Sequence, residues 1–595
     1  MFSMARKHSR LSQWNGRSRS SRSDEPVLSR IRRIPVLLRL AVILTTVVMV
    51  TVMALWWGPP LPYRIGQICA SDIRVRAYFE VVNDALTEEA RDDAVKNLPS
   101  AMAVDPKARA EARGDVSAVV EKYPVGTLLV PRGQPITEAQ RALLRQEYRA
   151  YLASRTSADN FRRGTAMCLV MGLLAIVVVL YAARFQHALA DSLAKVLGIC
   201  LLVVATMAFA LLASGPPFHA ALTPLTLTAL ILAITYNPQF SLLTSFSLTL
   251  ATTIALDADL DYLMIQMSGL ATAILMLRDL RTRTRLVQVG IGAGVAYLAT
   301  TVAAGLLSGQ TWRLIAFESI RHFVWGSLAG FLLTGILPLV ERAFGVVTDV
   351  SLLELADGSH PLLQELIRRA PGTYTHSMTV ATLAEAAAEA IGANPLLARV
   401  GSYFHDVGKM LKPQYFIENQ TGENRHDLLE PALSTLVIIG HIKDGVALAK
   451  KYKLPRPIVD FIQQHHGTTL VEYFYREAMR LQESSGYGGS ELESAFRYPG
   501  PKPQSPENSV VMLADAAESS SRALRDPAPN SLRKLVHDLA MKRLLDGQFE
   551  ESGLTLSELH LIEESISKSL VALYHARIRY PEEEPSAPPR LRLAS

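Results

Sequence analysis

The sequence Phe404-His405-Asp406-Val407-Gly408-Lys409 ends a stretch of helical periodicity and places an imidazole beside a carboxylate. Such a doublet arises by chance in many helices, so by itself it is weak evidence for a metal site. Histidine or aspartate also occurs in four other short pieces of predicted helix. These pieces are Tyr374-Thr375-His376-Ser377, Ile439-Gly440-His441, Gln464-His465-His466-Gly467-Thr468 and Leu513-Ala514-Asp515.

Together these pieces supply five histidines and two aspartates on helices of one predicted bundle. Imidazole and carboxylate are ligands for Fe, Mn and Zn, and unpaired polar groups are costly inside apolar helices. One ion needs about four ligands, so seven side chains suit two ions. Neighbouring helix positions diverge by about 100°, so His465 and His466 are expected to serve different ions. The remaining histidines of this region, His360, His426 and His560, are interpreted as ordinary structural residues.

The region that carries these residues is predicted to be an all-α domain spanning 342–580. Apolar residues in this region recur with helical periodicity, and the alternation typical of strands is scarce. The Gly/Pro/Ser-rich stretch 484–507 is predicted to be a loop. Residues 581–595 are predicted to be a disordered tail. The predicted helices are 352–369, 376–391, 394–410, 431–452, 455–466, 508–524, 530–546 and 555–576.

Upstream of this domain the apolar residues are concentrated in blocks that are long enough to cross a bilayer. Residues 36–57 contain about the twenty apolar residues that a spanning helix needs, and they lack a small-x-small cleavage site, so an uncleaved anchor is expected. Residues 1–35 form a basic arm before it. Seven further spans are predicted within 165–341, at 165–185, 192–213, 216–236, 239–256, 261–277, 286–308 and 321–341.

Charged loops orient these spans. The loop Arg278–Arg285 is basic and the loop Asp257–Asp261 is acidic, which places the first inside and the second outside. Residues 58–164 are then an exported domain, without an evident catalytic constellation, that acts as a sensor or as a spacer. The spans carry few charges away from their ends, which favours an anchor or signal receiver over a transporter.

The overall charge gives little support for nucleic-acid binding. The net charge is +6 and the pI about 9.0, but much of the excess lies in the first 34 residues. A basic block before an apolar span is typical of contact with anionic membrane lipid, so no nucleic-acid polymer is expected as a partner. The three cysteines, Cys69, Cys168 and Cys200, form no CxxC pair and cannot build a disulfide framework or thiolate site.

Residues from Glu341 to Tyr580 resemble the seven-transmembrane HD-domain family, whose known members hydrolyse cyclic di-AMP. The resemblance extends through the anchor, the exported region and the seven spans, although the exported region is shorter than is usual and Val407 replaces the common Ile. It rests on Ala370-Pro-Gly-Thr-Tyr-Thr-His376-Ser, His405-Asp-Val-Gly-Lys409-Met, Tyr415-Phe-Ile-Glu-Asn-Gln420, His465-His-Gly-Thr468, Phe496-Arg-Tyr-Pro-Gly-Pro-Lys-Pro503 and Asp546-Gly-Gln548.

The resemblance implies a phosphodiesterase that converts cyclic di-AMP to linear pApA with two divalent ions, Mn²⁺ or Fe²⁺/Fe³⁺. It implies a multi-pass protein of a bacterial plasma membrane with a cytoplasmic HD domain, and it leaves a homo-oligomer open. Asp406 matches the carboxylate that bridges both ions. The implied metal ligands are His376, His405, Asp406, His441, His465, His466 and Asp515.

Three basic residues are predicted to contact the substrate. Lys409, one turn after Asp406, is a predicted catalytic residue and phosphate contact, with a surface lysine as the alternative. Arg497 and Lys502, in the Pro/Gly-rich loop, are predicted to close over the substrate. Rival functions are a cyclic di-GMP phosphodiesterase, which usually carries a Gly-Tyr-Pro element after His-His-Glu, a one-metal nucleotide phosphohydrolase, and a membrane receptor that binds a nucleotide without cutting it.

The predicted topology can be tested by labelling single cysteines from outside intact cells, in a chain whose three native cysteines have been replaced. A cysteine within 58–164 should react with a membrane-impermeant maleimide, because this segment is exported. A cysteine in the 278–285 loop or in the N-terminal arm should react only after the membrane is permeabilised. Labelling of the 278–285 loop in intact cells would contradict the count of eight spans.

Overall fold

The computed structural model describes residues 34–57, 59–99, 104–277, 280–485, 492–525 and 527–575. Most of the predicted basic arm, Arg278 in the predicted basic loop and the predicted tail lie outside the described residues. The chain divides into two compact units, with the division between Val340 and Glu341.

The first unit is dominated by long apolar helices. In chain order its helices are α1 (Ile34–Trp57), α2 (Asp84–Lys96), α3 (Pro106–Gly114), α4 (Glu138–Ala153), α5 (Ser157–Phe185), α6 (His187–Ala190), α7 (Leu193–Ser214), α8 (Leu222–Thr235), α9 (Pro238–Ala255), α10 (Leu260–Met276), α11 (Arg283–Leu307) and α12 (Trp312–Phe344). The predicted anchor coincides with α1, and each of the seven other predicted spans coincides with one of α5 and α7–α12.

Among the described residues, six helices are long and apolar enough to cross a membrane, and α1, α5, α7, α11 and α12 are five of them. The sixth is Pro431–Lys451, which belongs to the second unit. Helices α8 and α10 are apolar but shorter, with 14 and 17 residues. The start predicted at 216 for the third span after the exported region is wrong by six residues, because Pro216 and Pro217 cannot donate the backbone hydrogen bonds of a continuing helix.

The last span begins at Trp312, nine residues before the predicted start at 321. The predicted start is too late because the charged residues in the first turns of this helix are typical of a loop. Glu318 is nevertheless buried, and its carboxylate pairs with Arg321 and, at 2.6 Å, with Arg64. His322, one turn after Glu318, hydrogen-bonds the Thr301 hydroxyl of α11 at 2.8 Å through Nδ1. Each of these polar groups would be costly to bury alone in an apolar bundle. Because the groups pair with one another, the free-energy cost of burying them is reduced.

Small residues let α11 and α12 approach closely. Gly290 and Gly294 on α11 face Gly326 and Gly330 on α12, so each helix carries a Gly-xxx-Gly pair. A Cβ added to Gly290 would lie 2.7 Å from Ser327 O and 2.8 Å from the Gly330 Cα. Such pairs allow backbone-to-backbone packing of membrane helices.

The segment between α1 and α5 contains two small antiparallel sheets besides α2–α4. Strand β1 (Ile73–Arg74) pairs with β4 (Leu128–Val130), and β2 (Phe79–Val82) pairs with β3 (Val120–Tyr123). Leu129 and Val130 of strand β4 are buried with residues of β1 and α4 in a small core.

Residues 66–68, at the start of this segment, bind the loop before α12. The amide side chain of Gln310 accepts a hydrogen bond from Ile68 N at 2.8 Å and donates one to Ile68 O at 3.0 Å. The Thr311 hydroxyl donates to Gly66 O. These bonds fix the segment to the end of the bundle at which α12 begins.

The second unit is helical throughout its described residues except for short turns and loops. Its α-helices are α13 (Asp349–Leu355), α14 (Pro361–Arg369), α15 (Pro371–Ala390), α16 (Pro395–Phe404), α17 (Pro431–Lys451), α18 (Arg456–Gln464), α19 (Glu472–Ser485), α20 (Leu492–Ala495), α21 (Pro506–Arg522), α22 (Pro529–Leu545) and α23 (Leu556–His575). Its 3₁₀ helices are Val407–Leu411, Pro413–Tyr415, Ile417–Asn419 and Arg425–Leu428.

Proline begins six of these helices, namely α14–α17, α21 and α22, as expected for a residue whose missing N–H is tolerated in the first turn. The prediction of one helix over 352–369 is wrong because Pro361 starts a new helix after the turn at Asp357–His360. The prediction of a helix over 394–410 is wrong beyond Phe404, where a 3₁₀ turn takes over. Helices α19 and α20 were not predicted.

We predict that Gly330→Ala lowers the stability of the bundle. The added Cβ would lie 2.5 Å from Leu286 O and 2.7 Å from the Gly290 Cα, and overpacking of this kind costs roughly 1–3 kcal/mol. Thermal unfolding of the full chain in detergent, followed by circular dichroism, should therefore show a lower melting temperature.

The matched control is Gly335→Ala on the same helix, because a Cβ at Gly335 would meet nothing within 4 Å. Alanine there should be neutral or slightly stabilising, given its higher helix propensity. Equal melting temperatures for the two variants would contradict the close approach of α11 and α12.

Candidate metal centre

Five helices bring the seven predicted ligands to one point of the second unit. His376 lies on α15, His405 and Asp406 follow the end of α16, and His441 lies on α17. His465 and His466 follow the end of α18, and Asp515 lies on α21. All are buried except His466, which is partly exposed.

The 3₁₀ turn after Asp406 depends on glycine. A Cβ on Gly408 would lie 1.9 Å from His441 O and 2.6 Å from Gly445 N, both backbone atoms of α17. Only the absence of a side chain lets the turn lie against α17, which positions Asp406 beside His441. The structure therefore assigns a local role to the glycine of the His-Asp-Val-Gly motif.

The seven side chains form two clusters that share Asp406. The first cluster contains His376, His405, Asp406 and Asp515, and the second contains Asp406, His441, His465 and His466; within each, one ligand atom per residue lies within 4.8 Å of the others. The sharing of Asp406 is the arrangement that the resemblance implied.

The two oxygens of Asp406 face different clusters. Oδ2 lies 3.2 Å from His405 Nε2 and 3.5 Å from His376 Nε2. Oδ1 lies 3.4 Å from His441 Nε2 and 3.5 Å from His465 Nε2. A carboxylate in this orientation is able to contact one cation with each oxygen.

His465 and His466 lie in one cluster, whereas the sequence predicts that they serve different ions. Their rings are 4.1 Å apart between centroids, and both belong to the second cluster. His466 Nδ1 also lies 3.7 Å from Asp515 Oδ2, so this ring faces both carboxylates. The expectation that the two rings serve different ions assumed a continuous helix, whereas α18 ends at Gln464 and the chain turns there.

Hydrogen bonds at Nδ1 fix the orientation of four of the rings. His405 Nδ1 donates to Ser402 O at 2.7 Å, His441 Nδ1 to Ile438 O at 2.6 Å, and His465 Nδ1 to Phe461 O at 3.0 Å. A carbonyl oxygen only accepts, so Nδ1 carries the proton and the Nε2 lone pair remains free for a cation. Nδ1 of His376 bonds the Glu518 carboxylate instead, at 2.6 Å.

The atoms that face inward lack ordinary partners. His376 Nε2, His405 Nε2 and both carboxylate oxygens of Asp406 are buried and make no hydrogen bond of acceptable geometry. Buried polar atoms without partners cost free energy, and divalent cations in the two clusters would satisfy them. The donor set therefore fits a metal site.

The electrostatics of three ligands agree with this fit. Burial lowers the pKa of His441 to about 4 and that of His466 well below its usual value, so both imidazoles stay neutral near pH 7. Although burial would raise the pKa of Asp406, the neighbouring Lys409 ammonium group holds it well below its usual range. Neutral imidazole and ionised carboxylate are the forms that bind metal. Although burial disfavours the charge of His376, the neighbouring carboxylates of Asp406, Asp515 and Glu518 raise its pKa well above the usual value, so a cation would have to displace a proton from this ring.

Lys409 is not the surface lysine that the sequence left open. Its Nζ lies 2.7 Å from Asp406 Oδ2 and 3.2 Å from Glu418 Oε1, and its side chain is 13% exposed. Although burial disfavours its charge, the two carboxylates raise the pKa of Lys409 above its usual value. A fixed positive charge thus lies beside the metal ligands.

The other two predicted substrate contacts are engaged by acidic side chains. Arg497 Nη1 lies 3.1 Å from Asp546 and donates to Thr468 O at 2.9 Å, while Nη2 pairs with Glu493. Lys502 Nζ lies 3.1 Å from Glu550. In this conformation Arg497 holds the loop after His466, which is a structural role that the sequence did not predict.

The sequence did not single out several residues next to the centre. Tyr498 stacks on His466 with ring centroids 4.3 Å apart, Glu418 binds Lys409, and Glu518 binds His376. Of these, Glu518 had a detectable signal, because it lies three residues after Asp515 and hence on the same helix face. Tyr498 and Glu418 lie in motifs that carried the resemblance, but their contacts depend on loops and were not predicted.

Known proteins resemble both units. Residues 163–348 match the family described as a 7TM receptor with intracellular HD hydrolase, and residues 373–519 match the HD domain family. The chain is 33% identical over 502 residues to the cyclic-di-AMP phosphodiesterase PgpH of Bacillus subtilis, covering 80% of this chain and 68% of the relative. This chain belongs to the 7TM-HD family. The resemblance read from the motifs is thereby confirmed.

The PgpH protein of Listeria monocytogenes and the solved structure of its HD domain are also similar to this 7TM-HD chain. The cyclic-di-AMP phosphodiesterase PgpH is 36% identical over 369 residues, which are 61% of this chain and 50% of the relative. The crystal structure of the PgpH HD domain in complex with cyclic-di-AMP is 43% identical and covers 37% of this chain and all of that chain, with a TM-score of 0.35.

We predict that Gly408→Ala disrupts the metal centre of this 7TM-HD protein. A Cβ cannot fit against the α17 backbone, so the turn must shift and carry Asp406 and Lys409 with it. With manganese as the probe, equilibrium dialysis of the full chain in detergent should show affinity reduced about tenfold or more.

Gly440→Ala, on α17, serves as the control, because a Cβ there would meet nothing within 4 Å. It should bind manganese as the wild type does. Unchanged affinity in Gly408→Ala would show that the turn can move away from α17 without disturbing Asp406.

Proposed function

We propose that this chain is a membrane-bound phosphodiesterase that hydrolyses cyclic di-AMP to linear pApA. The observation that carries the proposal is the shared carboxylate of Asp406, which directs one oxygen at each of two histidine-rich clusters. Two relatives with 33% and 36% identity bear the name cyclic-di-AMP phosphodiesterase. The HD domain and the membrane helices of the chain fit a membrane enzyme of this kind.

The proposal includes two divalent cations, Mn²⁺ or iron. His376, His405, Asp406 and Asp515 would hold one of them, and Asp406, His441, His465 and His466 the other. Bound cations would polarise a phosphoryl oxygen and make water nucleophilic near neutral pH. The neutral imidazoles and free Nε2 atoms described above support this assignment.

The protein itself supplies position and charge for the substrate. Lys409, beside Asp406, is proposed to contact the phosphate under attack, and Glu418 holds its ammonium group in place. Arg497 and Lys502 remain proposed substrate contacts, but each would have to exchange an acidic partner for a phosphate. Opening one ester of the ring by water gives the linear dinucleotide with one terminal phosphate.

The proposed organisation follows the predicted domains. The anchor 36–57 and the spans within 165–341 lie in the plasma membrane of a bacterium, 58–164 is exported, and 342–580 is the cytoplasmic HD domain. Membrane lipid is then a partner of the spans and of the basic arm, and a signal from the exported side has a covalent route to the HD domain through α12. Self-association is compatible with this arrangement.

We predict that Asp406→Ala removes both ions and abolishes turnover, because its carboxylate is common to the two clusters. Elemental analysis of the purified full chain should find close to two ions per wild-type chain and neither in the variant. Asp538→Ala, on the exposed side of α22, is the control and should retain both ions. One tightly bound ion in an active wild type would contradict the two-ion proposal.

We predict that the chain cuts cyclic di-AMP much more efficiently than cyclic di-GMP. Guanine presents a different exocyclic amine and carbonyl, and a dry site that leaves polar groups unpaired discriminates by orders of magnitude. Parallel kinetics with both substrates, analysed as kcat/KM with identification of the linear product, test this. A preference for cyclic di-GMP would overturn the assigned base, and binding without product would favour a receptor.

A further inference from the structure

One buried carboxylate beside the metal centre belongs to neither cluster. Glu518 lies on α21, one turn after Asp515, and its side chain is 4% exposed. Its Oε2 accepts a hydrogen bond from His376 Nδ1 at 2.6 Å. Its Oε1 accepts from Arg522 Nε at 2.7 Å and also pairs with Arg522 Nη2. Both oxygens thus have hydrogen-bond partners.

This partner distinguishes His376 from the neighbouring rings. His405, His441 and His465 donate Nδ1–H to backbone carbonyls, whereas His376 donates to a carboxylate. An ionised acceptor makes a shorter and stronger hydrogen bond than a neutral one. It also draws the Nδ1 proton toward itself, which raises the electron density at Nε2 and the basicity of the ring as a ligand.

The geometry also restrains the ring. His376 and Glu518 come from two different helices, α15 and α21, and their bond directs Nε2 toward Asp515 Oδ1, 3.0 Å away, and Asp406 Oδ2, 3.5 Å away. Helix α21 therefore contributes both a ligand, Asp515, and the group that orients a second ligand. Arg522 holds Glu518 from the next turn, so its rotamer is fixed before any ion binds.

We propose that Glu518 is a positioning residue that orients His376 and strengthens binding of the ion held by the first cluster, without contacting ion or substrate. The proposal rests on the proposed function, since it assumes that the first cluster holds a cation. It assigns unequal affinities to the two clusters: loss of the Glu518 charge weakens the first and spares the second, in which no ring is bonded to Glu518.

The test measures manganese binding rather than turnover. The full-length chain in detergent is stripped with a chelator, dialysed against graded Mn²⁺, and analysed for metal content per chain. Glu518→Gln should weaken binding of one ion by 10- to 100-fold, the range typical of such outer partners, and leave the other within about twofold. The conservative variant Glu518→Asp keeps the charge and should recover part of the loss.

Turnover then provides a second readout. At low Mn²⁺ the Glu518→Gln chain should be nearly inactive, and saturating Mn²⁺ should restore most of kcat, because no group that touches the substrate has been changed. A residue that served only to hold the fold would not show rescue by metal. The pair of exposed His537 with buried Glu563 offers a matched control, because Glu563→Gln removes the same kind of bond elsewhere in the unit.

The outcomes are separable. Equal weakening of both ions, or unchanged binding in Glu518→Gln, would overturn the positioning role while the wild type still binds two ions. Failure of Glu518→Asp to recover any affinity would also count against it. A wild-type chain that binds one ion contradicts the two-ion proposal instead, and the positioning role then stands or falls on whether Glu518→Gln weakens that ion.

Discussion

The second unit is organised around a charge that has to be buried. Asp406 is 1% exposed, and both of its oxygens lie among imidazole nitrogens rather than hydrogen-bond donors of the backbone. A lone carboxylate in such a place would be very costly. The surrounding architecture meets this constraint with Lys409 on one side and with histidine rings from the ends or faces of four helices, all able to share a cation.

Packing of the backbone makes this convergence possible. The turn after Asp406 lies against α17 because Gly408 has no side chain, and a Cβ on Gly372 would likewise lie 1.8 Å from Glu418 O. Glycine therefore acts twice at the edge of the site, once for the shared carboxylate and once for the segment that holds Lys409. The same physical device recurs in the first unit, where glycines bring α11 and α12 into contact.

Polar groups in the two units are stabilised by the same rule of mutual satisfaction. In the first unit Glu318 is compensated by Arg64 and Arg321. In the second unit Glu518 is compensated by Arg522 and His376. The difference lies in the atoms that face the centre: Nε2 of His376 and Nε2 of His405 are buried and make no hydrogen bond of acceptable geometry, which marks a ligand site rather than a structural ion pair.

The sequence by itself determined the class of the protein, the apolar spans and the seven residues of the centre, since hydrophobic length and residue type are local properties. The motif around His405 and Asp406 indicated the family to which the chain belongs. The sequence could not determine that α16 ends at Phe404 or that His465 and His466 belong to one cluster, because both depend on how a turn packs against α17 or α21.

Only the tertiary structure decided which side chain or backbone carbonyl orients each histidine ligand. It assigned Glu518 to His376 and backbone carbonyls to His405, His441 and His465. It also tied Arg497 and Lys502 to acidic side chains and buried Lys409. In the first unit it placed Glu318 inside the bundle, although the predicted last span begins only at 321. Pairing across residues far apart in the chain fixes these roles, and such pairs leave no periodic signal in the sequence.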